Sequence, residues 1–259
     1  MHLAKIISVA NQKGGVGKTT TTVNLAACLA KQGQRVLIVD IDPQGNATSG
    51  LGVDKHQQRA SIYEVLVGEA DSPDAVIHTQ VQNLDLLPSS IALAGAEVEM
   101  VSMMAREYVL QRALSGLSDR FDFILMDCPP SLGLLTVNAL AASDCVLVPI
   151  QCEFYALEGL TQLMNSVHLV RKHLNPHLEL LGVVLTMFDT RTNLSSQVSE
   201  EVRRFFAEKV FETVIPRNIR LAEAPSYGQP ILQYDARCPG AEAYLALSDE
   251  VLARVKGGK

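Results

Sequence analysis

Several features common in proteins are missing from this 259-residue chain, and each absence removes a class of function. No stretch reaches about 18 uncharged apolar residues, so no membrane-spanning helix is expected. The most apolar region, residues 132–150, is broken by Asn138 and Asp144. The run from Met1 to Ala10 is too short for a secretory leader and leads straight into glycines. No Cys-x-x-Cys occurs and the cysteine count, five, is odd, which argues against a disulfide framework or a zinc site. Cys28, Cys128 and Cys145 lie in apolar surroundings and read as buried thiols, suited to a reducing cytoplasm. Repeats, low-complexity tracts and linkers are also lacking, so one domain over residues 1–259 is expected. Positive charge is not in excess: the formal net charge is −6, which argues weakly against a nucleic-acid partner. The imbalance is uneven. Residues 1–185 hold 12 Lys+Arg against 18 Asp+Glu, whereas residues 186–259 hold 10 of each, so a local basic face is possible only in the last third.

Hydrophobic residues make up 47% of the chain, enough for a sizeable core. Residues 5–10, 35–40, 121–127, 145–149 and 181–187 read as strands, rich in Val, Ile and Leu without clean alternation. That pattern fits a parallel sheet covered on both faces. Helical spacing marks residues 20–32, 97–117, 157–174, 195–209 and 241–255, while 50–58 and 68–73 read as surface loops. Alternating strands and helices predict an α/β fold, a doubly wound, mostly parallel sheet with right-handed crossovers.

Between the first strand and the first helix lies Lys13-Gly14-Gly15-Val16-Gly17-Lys18-Thr19-Thr20. Glycines let a loop turn tightly and aim its N–H groups at phosphate oxygens, and the following helix adds the positive end of its dipole. Lys18 then places a charge on the β- and γ-phosphates, and Thr19 offers a hydroxyl to Mg²⁺. The strict phosphate-loop pattern requires glycine where this chain has Gln12; an extra lysine, Lys13, opens the loop instead.

Two acidic segments complete the set. Asp40-Ile41-Asp42-Pro43-Gln44-Gly45-Asn46 follows the second strand, at the carboxyl end where open α/β sheets bind ligands. The apolar run from Phe121 ends in Asp127, a carboxylate placed to hold Mg²⁺ directly or through water. Thr19, Asp42 and Asp127 are therefore the candidate metal residues.

The lysine-first loop resembles the deviant Walker A form of the P-loop NTPase fold, shared by ParA, MinD, the nitrogenase iron protein and the arsenical-pump ATPase. Later segments, Thr186–Leu194 and Ile215–Ile231, look like the ParA/Soj chromosome-partitioning ATPases, and the resemblance runs from Lys5 to about Val255. It implies an ATP- and Mg²⁺-dependent homodimer in which Lys13 reaches the partner's nucleotide and Asp42 orients the attacking water. It implies that Met187, Pro216 and Asn218 line the adenine. Arg191 and Arg220 would bind double-stranded DNA without sequence preference, and a ParB-type centromere-binding protein with a basic segment would stimulate hydrolysis. The setting would be cytoplasmic, on the nucleoid, with no membrane.

The competing expectation is a MinD-like membrane switch, which needs a basic amphipathic C-terminal helix. Residues 241–255 carry Glu242, Asp249 and Glu250 against Arg254, and Tyr244, Leu245, Leu247, Val251 and Leu252 read as core packing. Cluster-type cysteines for an iron–sulfur centre are not suitably placed, and the later segments do not fit a small-molecule ligase of the dethiobiotin-synthetase type.

Overall fold

A computed structural model describes residues 3–55, 58–153 and 156–257. In chain order the elements are β1 (Lys5–Val9), α1 (Lys18–Lys31), β2 (Val36–Asp40), α2 (Asn46–Gly50), α3 (Ile62–Val67), α4 (Ser72–Ala75), β3 (Ile77–His78), β4 (Leu84–Leu87), α5 (Leu93–Met100), α6 (Val109–Leu114) and β5 (Phe123–Asp127). They continue with α7 (Leu134–Ala142), β6 (Cys145–Gln151), α8 (Ala156–His173), β7 (Glu179–Phe188), α9 (Asn193–Phe206), β8 (Val210–Pro216), α10 (Ile219–Glu223), α11 (Ile231–Tyr234) and α12 (Pro239–Gly257).

The strands form one eight-stranded sheet in the order β3-β4-β2-β5-β1-β6-β7-β8. Every neighbouring pair is parallel except β3 with β4. The strands are apolar on both faces because both faces are covered. Leu37, Val39, Ile124, Met126, Val146 and Val148 join the core beneath α3, α5, α6, α7 and α8. Their alternates Val36, Ile38, Phe123, Leu125, Cys145 and Leu147 pack with α1, α11 and α12. This is the double covering that the unalternating apolar runs imply.

The expected α/β class holds, with three strands more than the sequence suggested. β3 and β4 are too short to stand out, with two and four residues. β8 carries Glu212 and Thr213 and lies at the sheet edge, where burial on both faces is not required. The helix expected over 97–117 is instead two helices. The chain turns between α5 and α6, Ala105 takes a positive φ of 52°, and Arg106–Tyr108 form a 3-10 turn. The apolar stretch 132–150 conceals α7, separated from β6 by Ser143 and Asp144. Of the expected loop 50–58, Gly50 ends α2, and His56 and Gln57 lie outside the described residues.

On α12, Tyr244, Leu247 and Val251 are buried, as core packing requires, and Leu245 and Leu252 are partly so. Arg254 is also committed inward. Its guanidinium donates to the carbonyls of Leu181, Lys209 and Val210 at 3.0, 3.1 and 2.9 Å and sits 3.9 Å from the Phe211 ring centre. Among the described residues no helix is long and apolar enough to cross a membrane. All five cysteines are buried, and burial pushes the thiols of Cys28 and Cys145 up to about 12.

Candidate functional site

Strand register assembles the site. Val9 of β1 lies level with Asp127 of β5, and Asp127 lies level with Asp40 of β2. The loop after β1 therefore springs from the same carboxyl edge that presents both carboxylates, the edge at which such sheets bind ligands.

The loop is held from beneath. Asn11 donates to the Pro149 carbonyl at 2.7 Å, and its own oxygen accepts the Lys13 N–H at 3.0 Å. Thr186, at the end of β7, donates to the Val16 carbonyl at 2.8 Å. Gly17 caps α1 with φ 88°, a left-handed geometry strained for any residue with a Cβ. Among the described residues no side chain caps α1, and its first turn has no acidic residue, so its leading N–H groups are suited to an anion. Lys18 is 7% exposed and donates to the Lys13 carbonyl at 3.2 Å. Burial lowers its ammonium pKa, opposed by the nearby Asp127 and Asp42.

The acidic residues divide by role. Asp127 is fully buried and accepts the Thr19 hydroxyl at 2.7 Å and the Thr22 hydroxyl at 3.2 Å. Its pKa is pushed up by burial and then by the charge of Asp40, with Asp42 adding to it. Asp40 is spent on structure: its carboxylate accepts the Thr48 N–H at 2.8 Å, the Thr48 hydroxyl at 2.7 Å and the Asp42 N–H at 3.3 Å. Thr48 in turn accepts the Ser89 N–H at 3.0 Å, and Ser89 donates to the Asp42 carbonyl at 2.7 Å. Asp42 is thereby fixed while one carboxylate oxygen accepts Gln44 N–H at 2.9 Å. Its other oxygen has no hydrogen bond among the described residues and is free to accept from water.

A divalent cation fits this chemistry. Buried Asp127 and Asp42 lie near the Lys18 ammonium, and burial and mutual repulsion raise the pKa of Asp127 and of the adjacent Asp40, a crowding of carboxylates that a metal ion would relieve. Among the described residues no three His, Cys, Asp or Glu side chains form a metal cage. A magnesium ion here would be held by the Thr19 hydroxyl, water and the nucleotide's phosphates, with Asp127 and Asp42 alongside.

Beside the loop opens a cavity of about 400 Å³, lined by Gly17, Thr20, Thr186, Met187, Pro216, Arg217, Asn218 and Tyr244, among others. The size suits a small ligand. Met187, Pro216 and Asn218, expected at the base, meet there. Met187 holds a positive φ of 50°, a strained backbone at the cavity wall. Asn218 accepts the Arg220 N–H at 2.8 Å through its side-chain oxygen. Thr186 and Tyr244 were not legible as site residues. Tyr244 reads as core, and it is 1% exposed with its hydroxyl 3.2 Å from Thr21.

Three residues expected to act on other molecules are held within the chain. Lys13 forms an ion pair with Glu153 at 3.1 Å. Arg191 clasps Asp189 through two bonds of 2.9 and 2.7 Å and holds that carboxyl well below the usual range. Arg220 pairs with Glu223 at 3.0 Å and Asp235 at 3.5 Å.

Comparisons with known proteins agree with this geometry. A family profile described as an AAA domain matches residues 4–180. The chain is 60% identical to the sporulation initiation inhibitor protein Soj of Bacillus subtilis, covering 97% of this chain and 99% of that protein. It is 52% identical to the chromosome partitioning protein ParA of Caulobacter vibrioides, covering 96% and 94%. The solved structure of cobyrinic acid a,c-diamide synthase from Mycobacterium smegmatis, with bound ADP and magnesium, matches with a TM-score of 0.88 at 40% identity, covering 99% of this chain and 97% of that one. With the lysine-first phosphate loop, the Asp42 and Asp127 edge and near-full-length identity in hand, the chain belongs to the Soj/ParA family of chromosome-partitioning ATPases.

Proposed function

We propose that this protein is an ATP-gated switch that dimerises around two nucleotides, binds double-stranded DNA without sequence preference as the dimer, and resets by slow hydrolysis. The observation that carries this reading is the uncapped start of α1 beside Lys18, Thr19 and an oriented Asp42. The α- and β-phosphates lie over the loop N–H groups of Gly14, Gly15, Val16, Gly17 and Lys18, with Thr19 and Thr20 at the start of the helix. Lys18 neutralises charge on the β- and γ-phosphates. A bound magnesium ion adds electrostatic stabilisation of the transferring phosphoryl group. The free oxygen of Asp42 accepts a hydrogen bond from the attacking water and aligns it with the γ-phosphorus. Positioning and charge neutralisation supply most of phosphoryl-transfer catalysis.

Lys13 is redundant for its own site, where Lys18 already serves. In the dimer it leaves Glu153 and reaches the partner's phosphates, so nucleotide and dimer stabilise each other. Arg191 and Arg220 then exchange their in-chain carboxylates for DNA phosphates, and joining two weak faces adds avidity. A ParB-type centromere-binding protein triggers hydrolysis, and the switch works in the cytoplasm on the nucleoid, without a membrane. The partitioning names of relatives at 52–60% identity support that setting. The MinD-like alternative is disfavoured because Arg254 on α12 is occupied by main-chain carbonyls.

Sedimentation and mobility shift on random-sequence DNA, each with ATP and with ADP, test the reading. ATP alone should yield a dimer that binds DNA, with affinity falling steeply as salt rises. Equal DNA binding in both nucleotide states would falsify the gating.

A further inference from the structure

The short helix α5 is apolar on two sides, and its own fold covers only one. Leu93, Ala96 and Met100 face inward and are fully buried. On the outward side Ile91 is 60%, Val98 76%, Val101 59% and Met104 92% exposed, with Ala94 exposed between them. Along α5 and the turns that flank it, residues 91, 94, 98 and 101 recur at intervals of three and four, the spacing of a seam that receives the knobs of another helix. Other large exposed apolar side chains, such as Leu3, Leu169, Phe205 and Tyr227, are scattered singly along the chain, so this cluster is a patch rather than ordinary surface. The outer face of a surface helix is normally polar, so an exposed apolar stripe opposite the buried one is unusual.

The flanks of the seam are acidic. Glu97 and Glu99 lie beside Val98, and Glu99 accepts the Tyr63 hydroxyl of α3 at 2.9 Å. Glu64 and Glu69 also stand around that hydroxyl. The nearby cation Arg106 is tied to Glu107 at 3.0 Å and to the Val101 carbonyl at 3.2 Å. A second copy of this chain docked on the seam would set these carboxylates against one another, which disfavours self-association.

The seam is also linked to the catalytic edge. Glu97 accepts the Leu135 N–H at 3.0 Å, placing a carboxylate at the N-terminal end of α7. A Cβ at Gly133 would collide with that carboxylate, so glycine keeps the approach open. The loop 128–133 joins this point to Asp127.

We propose that the outward face of α5 docks an amphipathic helical segment of another protein, apolar on one side and bearing lysine or arginine beside it, and that docking is felt at the catalytic edge through Glu97. The inference rests on the partner-triggered hydrolysis proposed above and adds the surface that receives the trigger. Val98 and Met104 supply the apolar contact, and Glu97 and Glu99 meet the cations.

The test titrates the full-length centromere-binding protein of the same cell, and a synthetic peptide of its basic segment, against wild type, Val98→Asp and Glu99→Lys. Basal and stimulated ATP hydrolysis and ATP-dependent sedimentation are followed. Val98 is exposed, so folding, basal hydrolysis and the ATP dimer should survive its replacement. Half-maximal stimulation of Val98→Asp should need about tenfold more partner or greater, as expected when a charge is forced into an apolar contact. Glu99→Lys should weaken stimulation several-fold, most at low salt. Stimulation of Val98→Asp at wild-type partner concentrations overturns the docking surface and leaves the switch intact. Loss of the ATP dimer in Val98→Asp also overturns it, making the seam a contact between copies. A wild-type protein that neither reagent stimulates removes both this surface and the partner-triggered reading.

Discussion

At the phosphate end, Thr22, Asp40, Thr48 and Asp127 are buried and every one of them is hydrogen-bonded to another part of the same edge. At the rim, the side chains of Arg191 and Arg220 are 83% and 50% exposed and pair with carboxylates of the same chain, Arg220 also meeting the Tyr234 hydroxyl. The first region is set before any ligand arrives, which is what catalysis by positioning requires. The second is made of solvent-screened pairs that are easily exchanged, which suits a surface that must bind and release. Lys13 stands between the two: it springs from the rigid loop, yet its side chain is one-third exposed and its ammonium pairs with the partly exposed Glu153.

Replacing residues along this gradient should break the comparison in graded ways. Away from Asp42, the largest effect belongs to Lys13→Gln, which should weaken ATP-dependent dimerisation by about tenfold to a hundredfold while leaving the monomer folded. Sedimentation showing a normal ATP dimer would return Lys13 to a role within its own subunit. Next comes Arg220→Glu. It should lower DNA affinity about equally for every sequence and reduce the salt slope by about 2, one contact from each subunit. A loss confined to particular sequences would point to base reading instead. Smallest in functional terms, but measurable in the apo protein, is Thr48→Val. It removes the hydroxyl shared by Asp40 and Ser89 and should lower stability by about 1–3 kcal/mol in denaturant unfolding. An unchanged midpoint would mean that the Asp40 network does not hold the edge together.

The legible part of the site was the part whose chemistry is local in sequence. Lys13 to Thr20 announce themselves because one loop must supply all the amides and the charge. Asp127 was found because it ends an apolar strand, and Asp42 because its Asp-Pro-Gln segment follows another strand end and resembles the family's; strand ends converge in this fold class. Thr48, Ser89, Thr186 and Tyr244 were not, since they join the site only through sheet order and side-chain contacts far apart in sequence. Asp40 and Asp42 look alike in sequence. The resemblance singles out Asp42 for the water, and the bonds from Thr48 add that Asp40 supports the edge. In the fold, β3 and β4 escaped notice through shortness and β8 through its edge position, whereas β2, a fully buried five-residue run, was plain. The carboxylates facing Arg191 and Arg220 were visible as composition, but their pairing needed the folded chain.

Asp42→Ala gives the most direct test of a positioned water at a nucleotide-gated dimer. Single-turnover ATP hydrolysis and sedimentation should be measured on the same preparation. Hydrolysis should slow by about a hundredfold or more, with ATP binding kept and the ATP dimer persisting instead of resetting. Hydrolysis at the wild-type rate would contradict this, because the Asp42 oxygen without a hydrogen bond among the described residues would then have no part in the reaction.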